Sequence, residues 1–134
     1  MSETEVRAFE RDHLDGVIAL VDSAGWETYS EDPERTYRAL AAPGSTTLVA
    51  LEDGRVAGLI QLQSDGEIQA HLSALLVGEE WRGRGISRTL LREGLQRAGG
   101  MRMDIVSGAE SFYSHLGAES KLGFRLRPPD LEGR

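Results

Sequence analysis

The chain has 134 residues, the size of one ordinary domain, and its 40% hydrophobic and 28% charged residues are typical of a globular protein with its own core. The formal net charge of −7 argues against a broad nucleic-acid-binding surface, and no apolar run approaches the roughly 20 residues that a membrane-spanning helix requires. The lack of cysteine excludes disulfides, thiolate metal sites and a cysteine nucleophile, and the three histidines have no zinc-ligand spacing.

The N-terminal residues predict a strand followed by a helix. The start has neither the cationic nor the apolar region of a signal peptide, so a cytoplasmic protein is expected. Thr4–Glu10 reads as a short strand, and Asp12 is placed to cap a helix that Gly25 ends. Helical spacing is shown by the apolar residues Leu14, Val17, Ile18 and Val21.

A second helix is predicted after an aromatic and polar stretch. Trp26–Asp32 is interpreted as a loop. Asp32 can then cap a helix that has Pro33 in its first turn, where proline gives up a donor that has no partner anyway. We expect this helix to run to about Ala42, because Pro43-Gly44 stops it.

The middle of the chain has the pattern of an antiparallel meander. Thr46–Glu52 and Arg55–Gln63 are strands joined by the tight turn Asp53-Gly54. Asp65-Gly66 is a second turn, and it leads into the long strand Glu67–Val77. Two such turns between apolar runs indicate two consecutive hairpins.

The last part of the chain alternates between helix and strand. Gly83–Ala98 is predicted to be an amphipathic helix, followed by the strand Met101–Val106, the short helix Ala109–Leu116 and the strand Leu122–Arg127. The element order is therefore β-α-α-β-β-β-α-β-α-β. It predicts one α+β domain over residues 1–134, with a mixed, mostly antiparallel sheet flanked by helices.

One loop carries the strongest chemical signal. Arg82–Ser87 joins a strand to a helix and contains two glycines, which let the backbone approach an anion closely. The unpaired N–H groups and the positive dipole end of the helix favour a phosphate at this position. Arg84 and Arg88 could add positive charge. The spacing is that of neither a Walker A loop nor a Rossmann fingerprint.

The run V-x-x-x-W-R-G-R-G-I-S, which ends at Ser87, resembles the acyl-CoA-binding motif R/Q-x-x-G-x-G/A of GNAT acetyltransferases. Arg82 and Gly85 match its first and middle positions, and Ser87 stands where Gly or Ala is usual. A second block, Ala109–Ala118, resembles the family's A-x-x-F-Y-x-x-L-G-F. Ala118 replaces the usual phenylalanine, and Val106 stands where an asparagine that helps to hold the cofactor is common.

The resemblance implies an N-acetyltransferase that transfers an acetyl group from acetyl-CoA to a primary amine by direct attack in a ternary complex. It assigns the CoA pyrophosphate to the backbone of Arg82, Gly83, Arg84, Gly85, Ile86 and Ser87. It places a bulge and free backbone N–H groups, which polarise the thioester carbonyl, at Leu75, Leu76 and Val77. Tyr113 matches the position of the acid that protonates the leaving thiolate.

The candidates for the base are His71 and Glu67. Alternation along the predicted strand puts both side chains on one polar face. The resemblance suggests that His71 acts through water, whereas Gln69 replaces a glutamate found in histone-acetylating members. A hydrogen-bonded strand histidine and a solvated Glu67 remain the alternatives.

The acceptor is implied to be a small-molecule or protein amine. Trp26, Tyr29 and Tyr37 fall where the family builds its acceptor-binding wall, although all three could equally belong to the core. No metal, nucleic-acid or membrane partner is expected, and a homodimer is an open expectation because dimers are common in the family. An inactive acyl-CoA-binding module is the alternative, suggested by Ser87, Val106 and Ala118.

Overall fold

The protein folds around one five-stranded mixed sheet. The structure, a computed structural model, describes residues 4–132. The strands are β1 (Glu5–Ala8), β2 (Ser45–Glu52), β3 (Arg55–Ser64), β4 (Gln69–Val77) and β5 (Arg102–Ile105). They lie in the order β1-β2-β3-β4-β5, with every neighbouring pair antiparallel except the parallel pair β4 and β5. The predicted α+β class and the mostly antiparallel sheet are confirmed.

Five α-helices flank the sheet: α1 (Leu14–Ser23), α2 (Glu27–Ser30), α3 (Pro33–Leu40), α4 (Ile86–Ala98) and α5 (Glu110–His115). Turns of 3₁₀ helix occupy Arg11–His13, Glu79–Trp81 and Pro128–Leu131. Among residues 4–132, no helix is long and apolar enough to cross a membrane.

Two apolar layers form the core, one on each face of the sheet. We call the first the α4-side cluster; it joins α4 to the sheet through residues such as Leu48, Ile60, Leu62, Leu72, Val77 and Leu90. We call the second the α1-side cluster; it joins α1 and α3 to the opposite face through residues such as Val17, Val21, Leu40, Val49, Leu59 and Leu76. Both faces of the sheet are thereby covered, which explains the nearly continuous burial of β2 and β3.

Local turn and cap signals are confirmed where they act within a few residues. Glu52 pairs with Arg55 around a two-residue turn in which Asp53 and Gly54 have φ angles of 50° and 78°. The Arg35 N–H donates to Oδ1 of Asp32 at 3.2 Å, so Asp32 caps α3 as predicted. The predicted cap of α1 is wrong: the chain enters α1 through a 3₁₀ turn in which the Glu10 N–H donates to Nδ1 of His13.

The stretch predicted to be a loop between α1 and α3 contains a short helix. Trp26 accepts main-chain hydrogen bonds from both Tyr29 and Ser30, and these close the single turn α2. The aromatic and polar composition of Trp26–Asp32 therefore does not indicate the helical turn that forms there.

The long strand begins two residues later than predicted. The carboxylate of Asp65 accepts main-chain hydrogen bonds from Glu67, Ile68 and Gln69, and the first two measure 2.8 and 2.7 Å. These bonds, with that of Ile68 foremost, hold the pKa of Asp65 below its ordinary value. They turn the backbone away from β structure, so Glu67 precedes β4 instead of belonging to it.

The predicted final strand, Leu122–Arg127, does not form. The stretch is irregular, and no main-chain hydrogen bond involves residues 119–126 within the described part of the chain. Its period-two pattern is genuine, but a strand needs a partner, and β5 pairs only with β4.

Candidate active site

The predicted anion loop connects the end of β4 to the start of α4. Gly83 and Gly85 have φ angles of 81° and 79°, the left-handed region that other residues rarely adopt. A Cβ atom built on either glycine would meet no atom within 4 Å, so backbone conformation, and not crowding, requires glycine here.

Six consecutive main-chain N–H groups, from Gly83 through Arg88, donate to no acceptor within residues 4–132. Three belong to the loop and three to the first turn of α4, where N–H groups have no partner inside the helix. Gly85 at the helix start has no side chain to cap them, whereas Asp32 caps α3. The first turn of α4 contains no acidic residue. We call this run of N–H groups the amide cradle; its geometry suits a phosphate or diphosphate.

The segment before the cradle is packed firmly onto the sheet. The Trp81 ring lies against Gly78, where an added Cβ would come within 2.7 Å of it. The Arg55 guanidinium covers the same ring at 4.7 Å from its centroid and pairs with Glu80 at 3.0 Å. Trp81 therefore anchors the loop.

Arginines tie the cradle to its surroundings in different ways. Arg82 donates from Nε to the carbonyl oxygen of Val77 at 3.2 Å, which fixes the start of the loop to the end of β4. Arg84 places Nη1 3.9 Å from the buried carboxylate of Glu52, which also accepts a hydrogen bond from Thr4. The Arg84 side chain is half exposed and the Glu52 side chain 5% exposed, so the pair lies at the rim of the core.

Replacing Gly78 by alanine is expected to lower the free energy of unfolding by about 1–3 kcal/mol, because the new Cβ must displace the Trp81 ring. Chemical denaturation of both proteins measures this difference. Gly108→Ala is the matched control, since a Cβ there meets nothing and its φ is not in the left-handed region. Equal stability of Gly78→Ala and wild type would show that Trp81 does not anchor the loop.

The sheet opens beside the cradle. Parallel pairing between β4 and β5 stops at Leu72 and Ile105, so the remaining part of β4, residues 73–77, has only β3 beside it. A bulge lies at Ser73, because Gln61 pairs with Ala74 and Leu62 pairs with Leu72. The bulge therefore lies earlier than the predicted position at Leu75–Val77, but no strand of residues 4–132 pairs with those residues on the side away from β3.

The side chains of residues 75–77, in the part of β4 that does not pair with β5, pack into the core. Leu75 and Val77 pack with the α4-side cluster, and Leu76 packs with the α1-side cluster. A ligand in the opening would therefore meet the main chain of β4. The N–H groups of Leu75 and Val77 point away from β3, whereas that of Leu76 points toward it, because the Gly78 N–H two residues later donates to Ala57 of β3.

Tyr113 lies on α5 and packs against the α4-side cluster, the same layer that holds Leu75. Its ring meets Phe112 edge-on at a centroid distance of 4.9 Å. Burial raises the pKa of the Tyr113 hydroxyl above its ordinary value, so the group is protonated at neutral pH. The hydroxyl has no hydrogen-bond partner within residues 4–132, which leaves it available to a ligand.

His71 is an exposed residue of β4, in register with Gln63 on one side and Asp104 on the other. Because Leu72 belongs to the α4-side cluster, alternation points His71 to the α1 side of the sheet. It lies two residues, or about 7 Å, before the bulge at Ser73. The expectation that Glu67 shares this strand face is wrong, because Glu67 is not in the strand.

A polar group beside His71 was not predicted. Gln69 donates from Nε2 to Asp104 and accepts from Nε of Arg102 at 2.7 Å. These contacts link β4 to β5 at the end where the two strands pair. They could not be predicted, because they depend on the parallel pairing of β4 with β5, which are distant in the sequence.

The aromatic residues of the predicted acceptor wall separate into two groups. Trp26 and Tyr29 are neighbours, with ring centroids 5.6 Å apart, and both pack half-buried against the α1-side cluster. Tyr37 instead stacks with Phe9 and lies under the Arg11 guanidinium at 4.5 Å. Trp26 and Tyr29 therefore share the sheet face of His71. Tyr37 lies on the same side of the sheet but packs with Phe9 instead of with these two rings.

Two concave regions border this face. A cavity of about 710 Å³ lies between α1, the β2–β3 turn and the end of β4; its lining includes Asp12, His13, Leu76 and Glu79. A shallower depression of about 510 Å³ is lined by His71 with Gln69, Asp65 and Gln63. The second places His71 in contact with accessible space.

A mixed sheet that opens beside an amide cradle at a helix start defines an acyltransferase-like architecture. The family model described as "Acetyltransferase (GNAT) family" matches residues 8–118, and this chain belongs to that family. A comparison with curated protein sequences finds no significant match.

Solved structures agree with this membership. An Agrobacterium tumefaciens protein assigned to the acetyltransferases is 25% identical, with a TM-score of 0.77 over 92% of this chain and 99% of that chain. A similarly assigned Deinococcus radiodurans protein is 27% identical, with a TM-score of 0.71 over 95% of this chain and 90% of that one. An aminoglycoside N-acetyltransferase solved with CoA is 17% identical, with a TM-score of 0.70 over 95% and 97% of the two chains, and that likeness concerns the fold.

Proposed function

We propose that this protein is an N-acetyltransferase that transfers the acetyl group of acetyl-CoA to a primary amine by direct attack in a ternary complex. The observation that carries the proposal is the amide cradle of Gly83–Arg88, next to the opening between β4 and β5. GNAT membership supports the reaction class.

The residues present fit the diphosphate of acetyl-CoA. The cradle offers six N–H donors without a competing acidic side chain in the first turn of α4. Arg84 and Arg88 are exposed and add positive charge beside it. When bound, acetyl-CoA supplies an activated acetyl thioester. The unpaired main-chain edge of residues 73–77 would align the chain that carries it, and its N–H groups would polarise the carbonyl.

Two side chains would move protons during the transfer. The Tyr113 hydroxyl, protonated at neutral pH, would donate a proton to the departing sulfur. His71, which is exposed on β4 and lines the depression on the α1 side, would take a proton from the amine through water. With no cysteine in the chain, no acyl-cysteine forms, which favours direct attack by the amine.

The acceptor is a small-molecule or protein amine that approaches from the α1 side, where His71, Trp26 and Tyr29 lie. The net charge of −7 favours the encounter with a cationic amine. The aromatic rings of Trp26 and Tyr29 would contact the body of the acceptor.

A catalytically inactive acyl-CoA-binding module is the second candidate. It is favoured by Val106, an apolar side chain that is 53% exposed just beyond β5, where the family often has an asparagine that contacts the cofactor. Binding would then persist without turnover.

A thermal-shift titration comparing acetyl-CoA with S-acetylpantetheine, which lacks the diphosphate, tests the cofactor site. Acetyl-CoA at about 100 times its Kd should stabilise the fold by about 2.7 kcal/mol, whereas S-acetylpantetheine should have little effect because it cannot use the cradle. An amine screen that follows CoA thiol release then tests turnover. Equal shifts from both compounds, or none from millimolar acetyl-CoA, would contradict the proposal.

A further inference from the structure

A carboxylate occupies a core-facing position at the end of β2. Leu48 and Ala50 belong to the α4-side cluster, and alternation along β2 directs the Glu52 side chain to the same side of the sheet. That side chain is only 5% exposed. Burying a carboxylate lowers stability unless hydrogen bonds and opposite charge compensate for the lost hydration, so a cation is expected beside Glu52.

Arg84, from the middle of the predicted anion loop, supplies the opposite charge. Its Nη1 lies 3.9 Å from Oε1 of Glu52, and the same oxygen accepts a hydrogen bond from the Thr4 hydroxyl. Arg55 is in register with Glu52 across the β2–β3 turn, but its guanidinium is directed to the Trp81 ring. Within residues 4–132, the cationic side chain within 4 Å of the buried carboxylate is therefore that of Arg84.

The main chain on both sides of Arg84 has unusual conformational freedom. Gly83 and Gly85 flank it, and glycine loses more conformational entropy on ordering than any other residue. The space around both glycines is open, since a Cβ built on either would meet no atom within 4 Å. Packing therefore does not hold this part of the chain in place, and a single arrangement of its N–H groups requires a restraint from outside the loop.

The two ends of the loop are fixed to the sheet by other contacts. Arg82 donates from Nε to a main-chain carbonyl at the end of β4, at 3.2 Å. Ile86, the first residue of α4, is buried and packs against Gly58 of β3, where an added Cβ would lie 3.3 Å from its Cγ2. Between these points only Arg84 has a side chain, and its ion pair with Glu52 connects the middle of the loop to β2.

We propose that Glu52 is a positioning residue of the cofactor site: through its ion pair with Arg84, it holds the main chain of the loop in the conformation that opens the amide cradle to an anion. The separation of 3.9 Å is too long for a hydrogen bond, so the guanidinium keeps its N–H donors for the diphosphate. A loop ordered in advance binds more tightly, because less conformational entropy is lost on binding. The inference rests on the proposed diphosphate site, although the order of the loop can be measured without a ligand.

The sign of the effect of Glu52→Gln on affinity separates positioning from simple charge repulsion. Glu52 places a negative charge near a site for an anion, so repulsion alone predicts that its neutralisation strengthens acetyl-CoA binding. If Glu52 holds Arg84 in place, the same substitution weakens binding. We expect isothermal titration calorimetry to give a Kd about three- to tenfold higher for Glu52→Gln than for wild type. An unchanged or lower Kd would overturn the proposal.

A double-mutant cycle with Arg84→Gln tests whether Glu52 acts through Arg84. In the Arg84→Gln background, Glu52→Gln should change the Kd for acetyl-CoA by less than about twofold, because no guanidinium remains to be positioned. The full three- to tenfold loss in that background would mean that Glu52 acts through another contact, such as the hydrogen bond from Thr4, and would overturn the proposal.

Nuclear magnetic resonance relaxation of the ligand-free protein tests the restraint itself. The main-chain order parameters of Gly83 and Gly85 should be about 0.85 in wild type and below about 0.6 in both Glu52→Gln and Arg84→Gln. Arg88→Gln is the matched control: Arg88 is exposed on the first turn of α4 and forms no ion pair within residues 4–132, so its loss should weaken acetyl-CoA binding without changing the order of the loop. Unchanged order parameters in Arg84→Gln, which replaces a half-exposed side chain, would overturn the positioning role alone, whereas no acetyl-CoA binding by wild type would contradict the proposed function.

Discussion

Replacing Gly85 by alanine is expected to weaken acetyl-CoA binding by about tenfold or more, since one hydrogen bond to a charged group contributes about 1.5–3 kcal/mol. Gly85 has a φ of 79°, and its N–H lies in the middle of the amide cradle. Alanine disfavours this left-handed conformation, so the substitution would change the backbone of the cradle itself, although the new Cβ would meet no atom within 4 Å. Isothermal titration calorimetry with acetyl-CoA measures the loss.

Gly25→Ala is the matched control for this experiment. Gly25 has a φ of 76°, and a Cβ there also meets nothing within 4 Å, but it follows α1 and lies outside the cradle. Both substitutions should therefore lower the free energy of unfolding by about 1–2 kcal/mol through backbone strain alone. Only Gly85→Ala should lose affinity. Equal affinity in wild type and Gly85→Ala would show that the diphosphate is bound elsewhere.

Features encoded within a few residues could be predicted from the sequence. Asp32 and Pro33 mark the start of α3, and Asp53-Gly54 forms the hairpin turn, because cap and turn preferences depend on neighbouring backbone groups. The strand-loop-helix junction at the cradle is also encoded locally, by its glycines and by the lack of a capping side chain at the start of α4. Phosphate binding at this junction stays a prediction.

Features that depend on distant segments could not be placed in the same way. The opening beside β4 arises where the parallel ladder with β5 stops, and β5 lies some thirty residues further along the chain. The bulge at Ser73 depends on the register with β3. Neither register leaves a mark in the sequence of β4 itself, so the bulge was expected nearer the cradle.

Two errors have a common physical origin. The alternating pattern of Glu67–Val77 and of Leu122–Arg127 predicts strands, but pairing decides whether a strand forms. At Glu67, the carboxylate of Asp65 accepts hydrogen bonds from main-chain N–H groups that would otherwise bond to a neighbouring strand. At Leu122 no partner strand is present within the described chain. Period-two patterning identifies residues able to form a strand, and the available hydrogen-bond partners determine whether they do.

Replacing Tyr113 by phenylalanine is expected to lower kcat by about a hundredfold, the lower range for loss of a positioned general acid. The affinity for acetyl-CoA should stay within about twofold, because the hydroxyl lies outside the cradle and the ring keeps its packing against the α4-side cluster. Steady-state kinetics with a saturating amine, paired with calorimetry, separate the two quantities. Tyr37→Phe is the control, since Tyr37 lies in the cluster with Phe9 and Arg11, and its turnover should match wild type.

The pH dependence of kcat provides a second test of whether Tyr113 is the general acid. A general acid works in its protonated form, which is present below its pKa and lost above it. Burial raises the Tyr113 pKa from 10.0, so an alkaline decline in kcat caused by this group must lie above pH 10. A kcat that is unchanged in Tyr113→Phe would assign the proton to water. If wild type binds acetyl-CoA tightly but turns over no amine, the result would instead favour the binding module, because the cradle would then bind its ligand without any acetyl transfer taking place.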